Sequence, residues 1–346
     1  MPVPSARRRR LLPAVLALLA GLSLAACSNV PAATGDAATG TVLNLVGFAV
    51  PAEANARIAK AWQQTPEGAG VTFETSYGAS GDQSRNVLNG QPADYVHFSV
   101  ESDVTRLVDG GLIDPDWKSG PNQGVVSSSV VVLAVRPGNP LGITGWDDLT
   151  RPGVEIVTPN PASSGAARWN ILAAWAHAKA GGATDEQATE FLAKLFENTV
   201  ALPGSGRDAT TAFTSGTGNV FITYENEAIL ARQKGEEFDY LVPADTLLIE
   251  NPGAVLTDAD PLATEWLEFV LSDTGQQIFG EAGFRPLNGA VPAEVKGAND
   301  PANPFPQPAR LYTVADDFGS WKELSGKFFA EKSGIITKLL ADLGKS

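Results

Sequence analysis

The chain repeats one local pattern, in which a short apolar run is followed by a few small residues and then by a helical segment. Residues 42–46, 71–75 and 93–98 are three such runs. Short apolar runs bounded by turn residues predict buried strands. Strands that alternate with helices predict a mostly parallel sheet covered by helices on both faces. The pattern therefore predicts an α/β protein.

The clearest case is residues 158–170, with the sequence TPNPASSGAARWN after an apolar run. Its two prolines cannot donate to a strand ladder and predict an extended turn. Ser163 or Ser164 is then the expected N-cap of a helix. The small residues Gly165 and Ala166 leave the first helical N–H groups uncovered, and such a helix N-terminus binds anions without a basic side chain. An ordinary capped helix is the alternative.

The N-terminus has the parts of a secretory signal. Basic residues 7–10 precede an apolar stretch that is too short to span a bilayer, and residues 24–27 read Leu-Ala-Ala-Cys. This end resembles the bacterial lipobox, in which the cysteine becomes the lipidated first residue. We predict a signal peptide over 1–26 and a lipidated tether over 27–40, with Cys27 as the lipidation site. A plain signal peptide with an incidental cysteine is the alternative.

The mature chain is strongly acidic. Without the four arginines of residues 7–10 it has 21 basic and 39 acidic residues, a net charge of −18. This balance excludes a nucleic-acid-binding footprint, and it opposes the collection of an anion by long-range attraction. An anionic ligand must therefore be held by local dipoles.

The strongest strand signal, residues 127–135, predicts a crossover between two lobes. We assign residues 41–127 and 241–346 to lobe I and residues 128–240 to lobe II. A short strand at 240–242 is expected to return the chain to lobe I.

Catalytic and metal sites find little support in the sequence. Residues 78–82, GASGD, miss the G-x-S-x-G nucleophile motif because Asp82 replaces its last glycine. His97 and His177 are the only histidines and are expected to pack, so we predict no metal site and no cofactor. Three arginines that each follow a Ser/Gly loop are expected either to bind an anion or to brace the loops: Arg85, Arg168 and Arg207.

Several motifs resemble the periplasmic sulfate-binding proteins of ABC importers. Residues 158–170 with the following Leu-Ala-Ala-Trp are close to the most recognisable segment of that family. The likeness covers the chain from residue 42 onward. The other matching motifs are GASGDQ at 78–83, VRPGNP at 135–140, WDDL at 146–149, ENEA at 225–228, FRP at 284–286 and FGSW at 318–321.

The resemblance implies a two-lobed, type II periplasmic-binding-protein fold, in which each lobe is a mostly parallel sheet flanked by helices. In that family a dehydrated sulfate lies between the lobes, held by main-chain N–H groups, serine hydroxyls and an indole N–H without a counter-charge. This chain has alanine where the family has an aspartate that contributes its N–H, and tyrosine where the family has the indole. The sulfate ligands implied by position are Ala49, Ser80, Ser164, Gly165, Ala166, Gly206 and Tyr224.

The resemblance also implies an extracytoplasmic, membrane-anchored receptor that hands sulfate to a membrane permease and its ATPase. Such a receptor is a monomer and catalyses no reaction. The alternatives within the class are thiosulfate, molybdate or phosphate. The alternative from another class is a secreted hydrolase that uses Ser80 or Ser164 as nucleophile.

Anchoring through Cys27 can be tested directly. Diacylation of its thiol and acylation of the new amine would exceed the two lipid signals that stable anchoring requires. Mass spectrometry of the membrane-extracted protein is expected to find acylated Cys27 as the first residue. Any other mature N-terminus would contradict the prediction.

Overall fold

The computed structural model describes residues 40–345. The predicted signal peptide, Cys27 and residues 28–39 of the tether lie outside the described residues. The strands of the described part are β1 (Val42–Phe48), β2 (Thr72–Gly78), β3 (Tyr95–His97), β4 (Val125–Val135), β5 (Ile156–Val157), β6 (Thr199–Ala201), β7 (Val220–Tyr224), β8 (Asp239–Leu241), β9 (Asp245–Val255) and β10 (Arg310–Tyr312).

Helices connect most of these strands, so the α/β prediction is confirmed. Between residues 40 and 345, no helix is both long and apolar enough to cross a membrane. The α-helices are α1 (Ala52–Trp62), α2 (Ser80–Leu88), α3 (Glu101–Asp109), α4 (Gly165–Ala180), α5 (Asp185–Glu197), α6 (Gly206–Thr214), α7 (Glu225–Gln233), α8 (Leu262–Leu271), α9 (Asp273–Glu281), α10 (Val314–Asp317), α11 (Trp321–Leu324) and α12 (Ile335–Asp342). A 3₁₀ helix (Trp146–Thr150) and a π-helical turn (Ser325–Phe329) complete the helical segments of this part.

The strands run in the order β2-β1-β3-β9-β4-β7-β5-β6, with β10 beside β9 and β8 beside β4. Two parallel groups stand at the ends of this order: β1 pairs in parallel with β2 and β3, and β5 pairs in parallel with β6 and β7. Antiparallel pairing of β4 with β9 joins the groups. The strand expected at residues 127–135 is therefore present as β4 and helps to join the two groups, while the division of the chain into two lobes remains a prediction.

The strand β9 is the main element that the sequence pattern did not predict. The chain does not return through residues 240–242, because β8 pairs with β4; it returns through β9, which pairs with both β3 and β4. Asn251, Pro252 and Gly253 interrupt the apolar pattern of β9 and are more typical of a loop. Asn251 is fully buried and donates through Nδ2 to the carbonyl of Ser99 at 2.9 Å, so its amide is satisfied inside the sheet.

The helix α4 is buried over most of its circumference, which is typical of a helix in the middle of a core. Trp169 and Trp175 on this helix meet Trp321 and Phe328 of the C-terminal segment in edge-to-face contacts, with ring centroids 4.7 and 4.8 Å apart. The C-terminal segment, which ends in α12, therefore covers α4.

An aromatic cluster holds α8 against the first parallel group. The ring centroid of Trp266 lies 4.9 Å from Phe73 and 5.6 Å from Trp62, and both tryptophans are buried. We expect Trp266→Ala to lower the free energy of unfolding by about 3–5 kcal/mol, because the remaining cavity adds to the lost burial. Denaturant unfolding measures this loss. The control Leu88→Ala, at an exposed position, should change stability by less than about 0.5 kcal/mol, and equal losses would contradict the role of the cluster.

Candidate functional site

Several helices begin at the carboxyl ends of the parallel strands, and three of them face one narrow cavity. The helices are α2 after β2, α4 after β5 and α6 after β6. The space between the lining atoms is too narrow for a water-sized sphere. The lining residues are Phe48, Ala49, Gly78, Ala79, Ser80, Ser99, Ser164, Gly165, Ala166 and Gly206. Six of the seven residues expected from the sequence are thus brought together, all except Tyr224.

The N-terminus of α4 leaves its first donors free. Ser164 is the N-cap residue, but its side chain does not cap the helix and hydrogen-bonds to none of the described residues. Its own N–H is paired with the carbonyl of Asn160 at 2.8 Å. Among residues 40–345, the N–H groups of Gly165 and Ala166 have no acceptor. The helix dipole concentrates partial positive charge at these groups, as an anion site requires.

The N-terminus of α6 approaches α4 and the loop after β1 closely. The cap residue Ser205 accepts a hydrogen bond from the N–H of Asp208 at 3.1 Å, which leaves the N–H of Gly206 without an acceptor among the described residues. A Cβ atom at Gly206 would lie 3.0 Å from Cγ2 of Val50 and 3.3 Å from Cβ of Ala166. Glycine therefore suits this position because larger residues would crowd the cavity wall.

Ser80 contributes to the cavity differently from the expectation. Its hydroxyl donates to Oδ2 of Asp103 at 2.7 Å and accepts from the N–H of Ser99 at 2.9 Å. The hydroxyl thereby fixes α2 to α3 and is occupied. The N–H of Ser80, at the first position of α2, has no acceptor among residues 40–345. The free donor of Ser80 is therefore its backbone group.

Ala49 lines the cavity, but its N–H donates to the carbonyl of Gly78 at 2.9 Å. This bond joins the ends of β1 and β2. Ala49 therefore forms part of the cavity wall, but its N–H group is not free to bind a ligand.

Tyr224 lies one residue behind the cavity wall. Its hydroxyl is 2.8 Å from Oγ of Ser99, and either atom can be the donor. Full burial raises the pKa of Tyr224 far above its ordinary value, so the phenol stays protonated. Ser99 lines the cavity in place of Tyr224. Ser99 was not predicted from the sequence, although it is a small residue between the buried strand β3 and the helix α3, as other cavity residues lie at the junctions of strands and helices.

The two sides of the cavity touch each other. The N–H of Gly81 on α2 donates to the carbonyl of Ser163 at 3.0 Å. Arg207 on α6 donates through Nη2 to the carbonyl of Val50 at 3.1 Å. A Cβ atom at Gly165 would lie 2.6 Å from both Cβ and Oγ of Ser99. The structure therefore shows a closed cleft, whose contacts tolerate no added side-chain atom at residue 165.

The charged groups near the cavity are engaged elsewhere. Arg207 forms two hydrogen bonds to Glu227, at 2.6 and 3.1 Å, and Arg85 pairs with Asp82. Arg168 donates to the carbonyl of Pro161 at 3.3 Å. Of the two roles that the sequence allowed for these arginines, anion binding or bracing of the loops, the contacts correspond to bracing. Neither the lining nor any cluster within residues 40–345 offers a metal site.

Neither histidine lies beside Ser80 or Ser164. His97 is buried, which lowers its pKa to about 3, and its ring contacts Asn55 and Ser127. His177 is held by Asp245. Within the described part of the chain, no serine–histidine pair of the kind that activates a nucleophile is present at this cavity.

The close approach of Gly165 to Ser99 gives a direct test of the site. If the cavity holds the sulfate that the resemblance implies, Gly165→Ala is expected to weaken its binding at least tenfold, about 1.4 kcal/mol, because the added methyl group overlaps Ser99 in the closed cleft. Calorimetric titration measures this loss. The matched control is Gly181→Ala at the other end of α4, where a Cβ atom meets only the carbonyl of Ala178 at 3.6 Å. Equal sulfate affinity in both variants would place the anion elsewhere.

Comparison with known proteins agrees with this geometry. Residues 43–285 match the family model for bacterial extracellular solute-binding proteins. The sulfate-binding protein of Synechococcus elongatus is 39% identical over 94% of both chains, and the thiosulfate-binding protein of Pseudomonas aeruginosa is 33% identical over 83% of this chain and 87% of that protein. The solved structure of the sulfate-binding protein SubI from Mycobacterium tuberculosis is 43% identical with a TM-score of 0.78, over 84% of this chain and all of that one. The chain therefore belongs to the bacterial extracellular solute-binding proteins and, within them, to the sulfate-binding protein family.

Proposed function

We propose that this protein is an extracytoplasmic receptor that binds sulfate in the cavity between α2, α4 and α6 and delivers it to an ABC importer. The observation that carries the proposal is the convergence of three helix N-termini with unpaired N–H groups on a cavity without a charged lining residue. Sulfate is a fully deprotonated anion at neutral pH and accepts hydrogen bonds without donating any. A site built from donors and helix dipoles matches this chemistry.

The free donors are sufficient for strong binding. They are the N–H groups of Ser80, Gly165, Ala166 and Gly206 and the hydroxyl of Ser164. Hydrogen bonds to a charged group contribute about 1.5–3 kcal/mol each, so five give roughly 8–15 kcal/mol before other costs. Micromolar affinity requires about 8 kcal/mol net. The free energy of the hydrogen bonds beyond this requirement offsets part of the cost of removing water from the anion.

Ser99 adds a further donor in this proposal, and Tyr224 orients it. When the phenol of Tyr224 donates to Oγ of Ser99, the hydrogen of Ser99 is free to point at the anion. Tyr224 then acts through Ser99 and does not touch the ligand. The carbonyl of Ser99 is fixed independently by the indole of Trp169 at 2.8 Å and by Asn251.

Binding requires the cleft to open first, because the closed cavity is too narrow for a water-sized sphere. The contacts between Gly81 and Ser163 and between Arg207 and Val50 must separate to admit the ion, and the cleft must then close on it with a wider space than it has here. A closed, ligand-dependent shape gives the importer a surface that differs between loaded and empty receptor.

The membrane arrangement is part of the same proposal. The signal at residues 1–26 directs export, and Cys27 carries the lipid that keeps a monomeric receptor beside its importer. Support for this arrangement comes from the sequence alone.

Calorimetry against sulfate, thiosulfate, molybdate and phosphate tests the ligand. We expect sulfate to bind most tightly, with thiosulfate next, since relatives carrying either name exceed 30% identity. Sulfate affinity should stay constant from about pH 6 to pH 8.5, because no titratable side chain lines the cavity.

Tighter binding of phosphate than of sulfate would contradict the proposal, as would a change of more than about tenfold in sulfate affinity across that pH range. Turnover of ester substrates that is lost in Ser80→Ala would favour the hydrolase alternative. The existing bonds of Ser80 to Asp103 and Ser99 argue against that outcome.

A further inference from the structure

A second cavity, of about 610 Å³, lies beside the closed cleft, and three arginines line it. Arg85 comes from α2, Arg106 from α3 and Arg168 from α4. Glu331 is the single carboxylate among the lining residues. Arg85 is paired with Asp82 and Arg106 with Asp103, so Arg168 is the lining arginine that has no carboxylate within ion-pair distance among residues 40–345.

Arg168 is the least satisfied of these cations. Its Nε donates to the carbonyl of Pro161 at 3.3 Å, and its Nη1 donates to Oγ of Ser102 at 3.4 Å. No carboxylate among residues 40–345 lies within ion-pair distance of it. Burial lowers the pKa of Arg168, although nearby Asp103 opposes this effect. A half-buried guanidinium with weak neutral partners is better stabilised when an anion completes its hydrogen bonds.

Two further side chains, those of Arg106 and Ser325, offer hydrogen-bond donors to the cavity. Arg106 donates through Nη1 to Asp103 at 3.0 Å and to Oγ of Ser84 at 2.8 Å. The other N–H donors of its guanidinium group are therefore not used by these bonds. Ser325 lines the same cavity, and its shielded Oγ has no hydrogen-bond partner among the described residues. Ser325 belongs to the C-terminal segment, which forms the opposite wall.

The opposite wall carries Ser325 and Glu331, but most of its other lining side chains are apolar. Phe329 stacks near Arg168, with the guanidinium carbon 5.1 Å from the ring centroid, and Ile336 and Leu340 of α12 extend the wall. A small inorganic anion would satisfy the arginines but leave this wall without a partner. A carboxylate or phosphate on an apolar body would contact both, and the arginine fork suits either group.

We propose that this cavity is a second ligand site, separate from the sulfate cavity, for a small organic molecule with a carboxylate or phosphate group on an apolar body. The anionic group binds Arg168 and Arg85, and the apolar body packs on Phe329 and α12.

The test uses the purified full-length protein in excess sulfate, titrated by calorimetry with benzoate, phenyl phosphate and inorganic phosphate. Excess sulfate keeps the probes out of the first cavity. At least one organic probe should bind the wild type, and the preferred one identifies the anionic group. Phenyl phosphate should bind more tightly than inorganic phosphate because of the apolar wall.

Variants locate the site. Arg168→Met and Arg85→Met should each weaken the organic probe about tenfold or more. The matched control is Arg57→Met, at a comparably exposed arginine whose own ion pair, with Glu53, lies on α1. Circular dichroism checks that each variant is folded. If Arg168→Met does not fold, Arg85→Met alone still tests the site.

The proposal is overturned if neither organic probe binds at millimolar concentration, or if folded Arg85→Met and Arg168→Met bind as the control does. Gly165→Ala separates this site from the first, because it should weaken sulfate and leave the organic probe unaffected. Loss of the organic probe in Gly165→Ala would mean that both ligands share one site, and would also overturn the proposal.

Discussion

The antiparallel pairing of β4 with β9 is the contact on which the site depends. Residues of β4 up to Val130 pair with β9, which itself pairs with β3 of one parallel group, and residues from Val131 onward pair with β7 of the other group. This continuity brings the carboxyl ends of β1, β2 and β3 opposite those of β5 and β6. The cavity forms where those ends meet, as expected for ligand sites in open α/β sheets.

At that meeting point, backbone N–H groups offer the positive partial charge that charged side chains provide in many anion sites. A basic side chain would attract anions over long distances, but the acidic surface of this protein cancels such steering. Helix N-termini act only at close range and only on groups of the right geometry. A closed cleft strengthens them further, because it excludes the water that would otherwise screen the dipoles.

The family motifs outside the cavity serve the framework. Arg285 and Glu225, which lie in the FRP and ENEA motifs, form a buried ion pair with bonds of 2.7 and 3.1 Å. Trp146 of the WDDL motif donates its indole N–H to the carbonyl of Asp245 at the start of β9. Trp321 of the FGSW motif packs on Trp169. These residues of the motifs therefore fix elements of the framework around the cavity, although none of them lines it.

The sequence by itself determined the α/β class and the open helix N-terminus at Ser164, Gly165 and Ala166, because these follow from local patterns of apolar runs, caps and small residues. The other cavity residues it named, Ala49, Ser80 and Gly206, came from the resemblance to the sulfate-binding proteins. It failed at β9, where Asn251, Pro252 and Gly253 look like a loop until burial and pairing with β3 and β4 override local preference. It also could not separate Tyr224 from Ser99 as the cavity residue, nor show that the N–H of Ala49 and the hydroxyl of Ser80 are already bonded. Those outcomes depend on distances between residues far apart in the chain, such as the 2.8 Å between Tyr224 and Ser99, and only tertiary packing sets them.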